Sequence, residues 1–238
     1  MVLCYNRKNH SHEVHTMTLK EAIVERHSVR RYTDRKIDES TAAELQKTID
    51  ECNRKSGLNI QLVLNEPEAF GSGMAKYGNF EGCSNYIAIV GKKGDDEKCG
   101  YYGEKIVLHA QQLGLNTCWV ALTFNKSKTV YKLNDGEKLI IVIALGYGQT
   151  QGKARPSKKL EDLCTVTNGE MPEWFKSAMV AVMLAPTAVN QQKFHFTLDG
   201  NEVTAKTLLG FYSKIDLGIA KYHFEIGAGD TFFKWKKD

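Results

Sequence analysis

Apolar residues recur at helical spacing in several stretches of the chain and at alternate positions in others. Leu19, Ala22 and Ile23 make a short apolar face behind Thr18 and Glu21, whose T-x-x-E spacing predicts a capping box at a helix start. Leu45, Ile49 and Cys52 mark a second helix, opened by Asp38 or Ser40 and closed by Gly57. Ile106, Val107, Ala110 and Leu113 predict a largely buried helix over 102–113, stopped by Gly114. Phe175, Met179, Val182 and Met183 predict another, with Pro172 in its first turn, and 215–228 reads as a last amphipathic helix. Between these, Leu58, Ile60, Leu62 and Leu64 alternate with Asn59, Gln61 and Val63, the pattern of a half-buried strand. Residues 85–90 and 193–198 are further strand stretches, and 115–122 is a mixed apolar segment around Trp119. Residues 138–145 are apolar enough for a central strand, and Asp199-Gly200 signals a hairpin. Phe232, Phe233 and Trp235 form an aromatic tail that needs a surface to pack on. The mixture of elements makes an α+β chain.

Two stretches share one plan. Residues 42–64 and 174–198 are each a helix, a breaking loop that contains Asn, and an alternating strand. The chain divides accordingly into a polar tail over 1–16, a first half over 17–148, a basic linker over 149–169 and a second half over 170–238. The tail carries Cys4, His10, His12 and His15. His12 and His15 fit one helix face, but no further ligands follow nearby, so it reads as a frayed end and not a metal site. An ordered pattern begins at Met17.

Composition narrows the class. With 238 residues, 42% hydrophobic and 25% charged, the chain can bury a large core in one domain or two small ones. No apolar run approaches a membrane span, and residues 1–16 lack the apolar centre of a signal peptide, so a cytoplasmic protein without membrane contact is expected. The six cysteines contain no C-x-x-C pair and read as reduced, partly buried thiols. A formal charge of +4 suits a bound phosphate or an anionic small molecule better than a nucleic acid, since the aromatics are not interleaved with the basic residues.

The candidate chemistry begins at Arg26-His27-Ser28-Val29-Arg30-Arg31-Tyr32. In extended backbone Arg26, Ser28 and Arg30 share one face, two guanidinium forks around a hydroxyl, which is an anion clamp. His27 then falls on the opposite face. The C-terminus of the first helix points at this run with its negative dipole end, so an anion there must be held by side-chain charge. No G-x-S-x-G, H-E-x-x-H or zinc-type cysteine spacing occurs, so neither a serine nucleophile nor a metal is indicated.

Five stretches together resemble the FMN-dependent nitroreductases. Arg26–Tyr32 is similar to their flavin-phosphate motif. Ala185-Pro186-Thr187-Ala188-Val189-Asn190 and the strand after it resemble their loop against the flavin ring and ribityl chain. Leu113–Val120, Ile143–Gly148 and Ile215–Glu225 are similar to further family segments. The resemblance spans about residues 17–230. It implies a mixed, largely antiparallel sheet flanked by helices, FMN as cofactor, and NADH or NADPH as reductant in ping-pong hydride transfer to a nitroaromatic, quinone or related acceptor. By the same resemblance Arg26 and Ser28 would hold the phosphate and Arg30 the pyrimidine edge of the ring. Pro186, Thr187, Ala188 and Asn190 would contact ribityl and ring, and the backbone of Val120, Ala121 and Leu122 would face the hydride-accepting nitrogen. His27 would touch the flavin through its backbone. Arg155 and Lys158 are approximate matches to the family's C-terminal phosphate cations. Asn79 is either a ring or substrate contact or a turn residue.

One departure shapes the reading. Typical members carry the Pro-x-x-x-Asn-type loop early, where this chain has Asn53–Gly57; the good match comes late, at 186–190. This resembles the single-chain, fused branch, in which one chain supplies both halves of the site as an internal pseudo-dimer. An ordinary homodimer is the competing arrangement. The alternative functions are a flavin-binding protein with little turnover, or another flavin reaction on this fold, such as reductive dehalogenation or flavin fragmentation.

Overall fold

The computed structural model describes residues 16–236. Cys4, His10, His12 and His15 lie outside them. The first elements form where local chemistry asks for them. Helix α1 (Leu19–Glu25) starts on a reciprocal cap: the Thr18 hydroxyl accepts the Glu21 N–H at 3.2 Å and the Glu21 carboxylate accepts the Thr18 N–H at 2.7 Å. Helix α2 (Glu39–Ser56) is capped by the Asp38 carboxylate, which accepts the Thr41 N–H at 2.9 Å, and ends on Gly57 at φ 72°. Strand β1 (Asn59–Val63) follows at once, then a short helix α3 (Glu68–Gly71) and a 3₁₀ turn over Gly73–Gly78.

Strand β2 (Asn85–Lys92), helix α4 (Asp96–Gln112), strand β3 (Asn116–Val120) and strand β4 (Glu137–Gly146) complete an antiparallel sheet in the order β1-β2-β4-β3. The apolar run at 138–145 lies inside this sheet, paired on both sides, as its composition predicts. Helix α5 (Leu160–Leu163) and strand β5 (Cys164–Val166) come next, then helix α6 (Glu173–Met183), strands β6 (Phe194–Asp199) and β7 (Glu202–Thr207), helix α7 (Ser213–Ala228) and strand β8 (Lys234–Trp235). These four strands form a second sheet in the order β5-β6-β7-β8. β6 and β7 are an antiparallel hairpin, and β5 and β8 join the edges in parallel. The basic stretch at 149–169 is therefore more than a linker: its last residues are an edge strand of the second sheet, too short for alternation to reveal.

One core joins both sheets. It runs from Leu45 and Ile49 of α2 through Ile106 of α4 and Ile219 of α7 to Phe175 of α6 and Phe196 of β6. The aromatic tail finds its surface here: Phe233 stacks on Trp174 with centroids 5.8 Å apart, and Trp235 lies 5.2 Å from Phe224. Among the described residues no helix is long and apolar enough to cross a membrane.

Helices α4 and α7 pack directly against each other. A Cβ on Gly100 would overlap the carbonyl oxygen of Ile215, and a Cβ on Gly218 would overlap that of Glu97. The contact is reciprocal, each helix giving a glycine to the other's backbone. It also explains why α4 begins at Asp96 and not near Tyr102. Glycine disfavours a helix locally by about 1 kcal/mol, and close packing overrides that here. With α3 and the 3₁₀ turn between β1 and β2 set aside, the order α2-β1-β2-α4 recurs as α6-β6-β7-α7.

Candidate functional site

Arg26 is the last residue tied to α1. Its N–H donates to the Ala22 carbonyl while its own backbone is extended, at φ −69°, ψ 115°. The chain then runs beside β3: Ser28 bridges Thr117, and the Val29 N–H donates to the Thr117 carbonyl at 3.0 Å. Val29 is buried, and Ser28 and Arg30 face outward on either side of it, so the expected alternation holds over residues 28–30. Arg26 departs from it. Only 4% exposed, it turns inward beside Glu104. His27, expected on the opposite face, lines the same cavity as its neighbours, because the residues around the helix end are not a regular strand.

Two cavities meet at this run. The first, about 490 Å³, is walled by Arg26, Arg30, Lys153 and Arg155 together with His27, Ser28, Pro186, Thr187 and Asn190, and no carboxylate contributes to its wall. The second, about 540 Å³, is apolar over most of its wall: Trp119, Val120, Ala121 and Leu122 face Ile215, Ile219 and Phe211, with Asp216 as its one carboxylate. Ser28, Arg30, Pro186, Thr187 and Val189 belong to both, so the two cavities adjoin along these residues. Ala188 lines the second. Residues remote in sequence, at 26–30, 120–122, 155 and 186–190, are thus brought together.

Two expected contacts are not. The Lys158 ammonium donates to the Gln192 carbonyl at 3.0 Å and its backbone N–H to Gln192 Oε1 at 2.8 Å, so its hydrogen bonds fasten a loop and it lines neither cavity. Asn79 is exposed, caps the 3₁₀ turn at φ 56° and lies outside both cavity walls; it is a turn residue.

The loop between α6 and β6 is held from three directions. Val189, Asn190 and Gln192 have φ of 44°, 56° and 45°, a left-handed conformation rare for any residue with a Cβ and more so for a β-branched one. Arg155 reaches across to donate to the Asn190 side chain and the Ala185 carbonyl. Asn190 in turn donates to the Pro156 carbonyl at 2.9 Å. Gln192 donates to Ser157 Oγ at 3.0 Å and to the Met183 carbonyl at 3.2 Å. From the other side, Asp216 accepts the Ala188 N–H at 3.0 Å and the Gln191 amide at 2.9 Å.

Burial sets the electrostatics. It lowers the Arg26 guanidinium, an effect opposed in part by the Glu104 carboxylate. Arg155 is brought down to about 10, first by burial and then by the like charge of Arg26. The Asp216 carboxyl is pushed up to about 6 by burial, against the two N–H groups that favour its charged form. Beneath the cleft lie Glu104 and His223, both fully buried, which the pattern of α4 and α7 hid as helix residues among apolar neighbours. Their only signal in the sequence is a charged and a titratable residue on otherwise buried faces. Among the described residues no group of three or more His, Cys, Asp or Glu could hold a metal ion.

A cavity with cationic walls beside an apolar slot has the chemistry to accept an elongated ligand with an anionic end and a flat, apolar part. The sequence profile of the family described as "Putative TM nitroreductase" matches residues 18–228, and the chain belongs to that family. The fold agrees. A "putative nitroreductase" of Thermotoga maritima superposes with a TM-score of 0.65 at 23% identity, covering 93% of this chain and 88% of that one. A "putative nitroreductase" of Desulfovibrio desulfuricans, solved in complex with FMN, superposes with a TM-score of 0.51 at 18% identity, covering 65% of this chain and 98% of that one. No curated protein matched the chain.

Proposed function

We propose that the chain binds FMN, phosphate in the cationic cavity and ring in the apolar slot, and is an NAD(P)H-dependent oxidoreductase for electron-poor small molecules such as nitroaromatics and quinones. The observation that carries this is Arg26. Its guanidinium is 4% exposed, its Nε makes no hydrogen bond and has only the Glu104 carboxylate at 3.8 Å as counter-charge, and it belongs to a cavity wall with three further cations and no carboxylate. Such a group is costly to bury unless an anion completes it. The FMN held by the Desulfovibrio desulfuricans structure supports the same ligand.

Bound there, FMN supplies the hydride relay between a reduced nicotinamide and the acceptor. The chain's residues position it. Arg26 and Ser28 hold the phosphate. Arg30, shared by both cavities, would give a cation at the pyrimidine edge, where negative charge grows on reduction. Val120–Leu122 and Pro186–Ala188 face each other across the slot and exclude water from the ring. The repeated helix–strand–strand–helix order and the reciprocal glycine contact support a fused arrangement, since a two-fold interface makes each side give what it receives.

Fluorescence titration of the apoprotein with FMN and with riboflavin tests the reading. FMN is expected to bind the native chain more tightly, and Arg26→Ala to lower FMN affinity roughly ten- to a hundredfold while leaving riboflavin unchanged. Equal affinity of the native chain for both ligands would overturn the phosphate assignment. Anaerobic addition of NADH and of NADPH to the FMN-loaded protein, followed by loss of flavin absorbance, tests the reductant.

A further inference from the structure

Arg26 does not sit on the cavity floor alone. Glu104 Oε2 accepts the indole N–H of Trp119 at 2.9 Å, while Oε1 lies 2.9 Å from His223 Nε2 and 3.8 Å from Arg26 Nε. The other ring nitrogen of His223, Nδ1, lies 2.9 Å from the Ala181 carbonyl oxygen. A carbonyl only accepts, so Nδ1 carries a hydrogen. The Nε2–Oε1 bond needs a hydrogen as well, so Glu104 and His223 hold one proton between them and are together neutral.

We propose that Glu104 and His223 are positioning residues for the anion end of the site. They fix the Arg26 guanidinium from its Nε side, so that the far end of the fork is presented to the ligand's phosphate. The inference rests on the FMN reading above and adds two residues that do not line either cavity. Three elements converge on the device: Glu104 comes from α4, His223 from α7 and Trp119 from β3. An arginine side chain is otherwise one of the most mobile in a protein, and a site that orders it before the ligand arrives avoids that cost on binding. Glu104 at 3.8 Å is a guide and not a competitor: it makes no close hydrogen bond that a phosphate would have to break.

Glu104→Gln separates geometry from charge. A neutral amide beside a neutral His223 replaces a pair that is already neutral in sum, so the site's total charge is kept while the fixed ionic contact to Arg26 is lost. FMN affinity of the apoprotein is expected to fall about tenfold, with riboflavin affinity unchanged. Unchanged FMN affinity would overturn the proposal, and so would equal losses for FMN and riboflavin, which would mark a merely structural role. If the native chain itself fails to discriminate FMN from riboflavin, the phosphate assignment falls and takes this proposal with it. Should Glu104→Gln not fold, His223→Gln is measured in the same way. It removes the ring that holds Glu104 Oε1 beside Arg26, so FMN and not riboflavin should again bind more weakly.

Discussion

Helix α2 passes into β1 through residues 57–58, whereas α6 reaches β6 through residues 184–193. The first connection is relaxed. Gly57 takes the left-handed turn without steric cost, and the Asn53 side chain accepts the Ile60 N–H at 2.7 Å and donates to its carbonyl at 2.9 Å. The second places three residues with side chains in the same left-handed region and holds their loop with Arg155, Ser157, Lys158 and Asp216. Strain of about 1–2 kcal/mol per such residue persists only where the surroundings over-determine it. The relaxed loop borders neither cavity, and the strained one walls both. Two units of the same order thus divide the work: one connects, the other shapes a site.

Removing the clasp should break this contrast most severely. Arg155→Ala deletes charge-assisted bonds to Ala185 and Asn190 and is expected to cost about 3 kcal/mol of stability in urea unfolding, together with at least tenfold in FMN affinity. A variant as stable as the native chain would show that the loop holds its shape unaided.

The opposite hold on the loop titrates. The Asp216 carboxyl is raised to about 6 in the fold from an ordinary value of 3.8, so between those values the folded chain binds more protons than the unfolded one. Stability from this group is present below about pH 4 and is lost as pH rises through about 6, by on the order of 2–3 kcal/mol. Asp216→Asn should remove that slope, read as the difference between the two chains in unfolding free energy at pH 4 and pH 7. An identical pH dependence would mean that the Asp216 carboxylate is not penalised by its site.

The smallest effect sharpens the contrast most. Val189→Gly should relieve the backbone and stabilise the chain by about 0.5–1 kcal/mol, whereas Gly57→Ala should destabilise it by about 1 kcal/mol. FMN affinity should fall in the first variant, as the loop loosens, and stay level in the second. Thermal unfolding and titration of both variants check the pair together.

Much of this was legible in the sequence because local rules and tertiary demands agree there. The capping box at Thr18, the stop at Gly57, the central strand at 138–145 and the hairpin at Asp199-Gly200 each rest on neighbours in the chain. So does the exposed pair Ser28 and Arg30. What escaped depends on distant partners. Arg26 leaves its expected face because Glu104, far along the chain, draws it inward. Lys158 looks like a phosphate cation until Gln192 is seen to occupy it. The first turn of α4, over 96–100, lacks an apolar pattern, and Gly100 finds its reason only in Ile215 packed against it. Asp216 and His223 lie in a stretch that resembles the family, but only burial and distant partners give each side chain its meaning.

That glycine pair has a consequence for dimensions. Helix α4 backs Trp119 and, through Glu104, Arg26; α7 carries Ile215, Asp216 and Ile219 on the far wall of the slot. The distance between the helix axes therefore acts as a calliper setting for the cleft. At Gly100 and Gly218 that setting is at its minimum, with backbone touching backbone. A single methyl at either position forces the jaws apart and widens the slot between them.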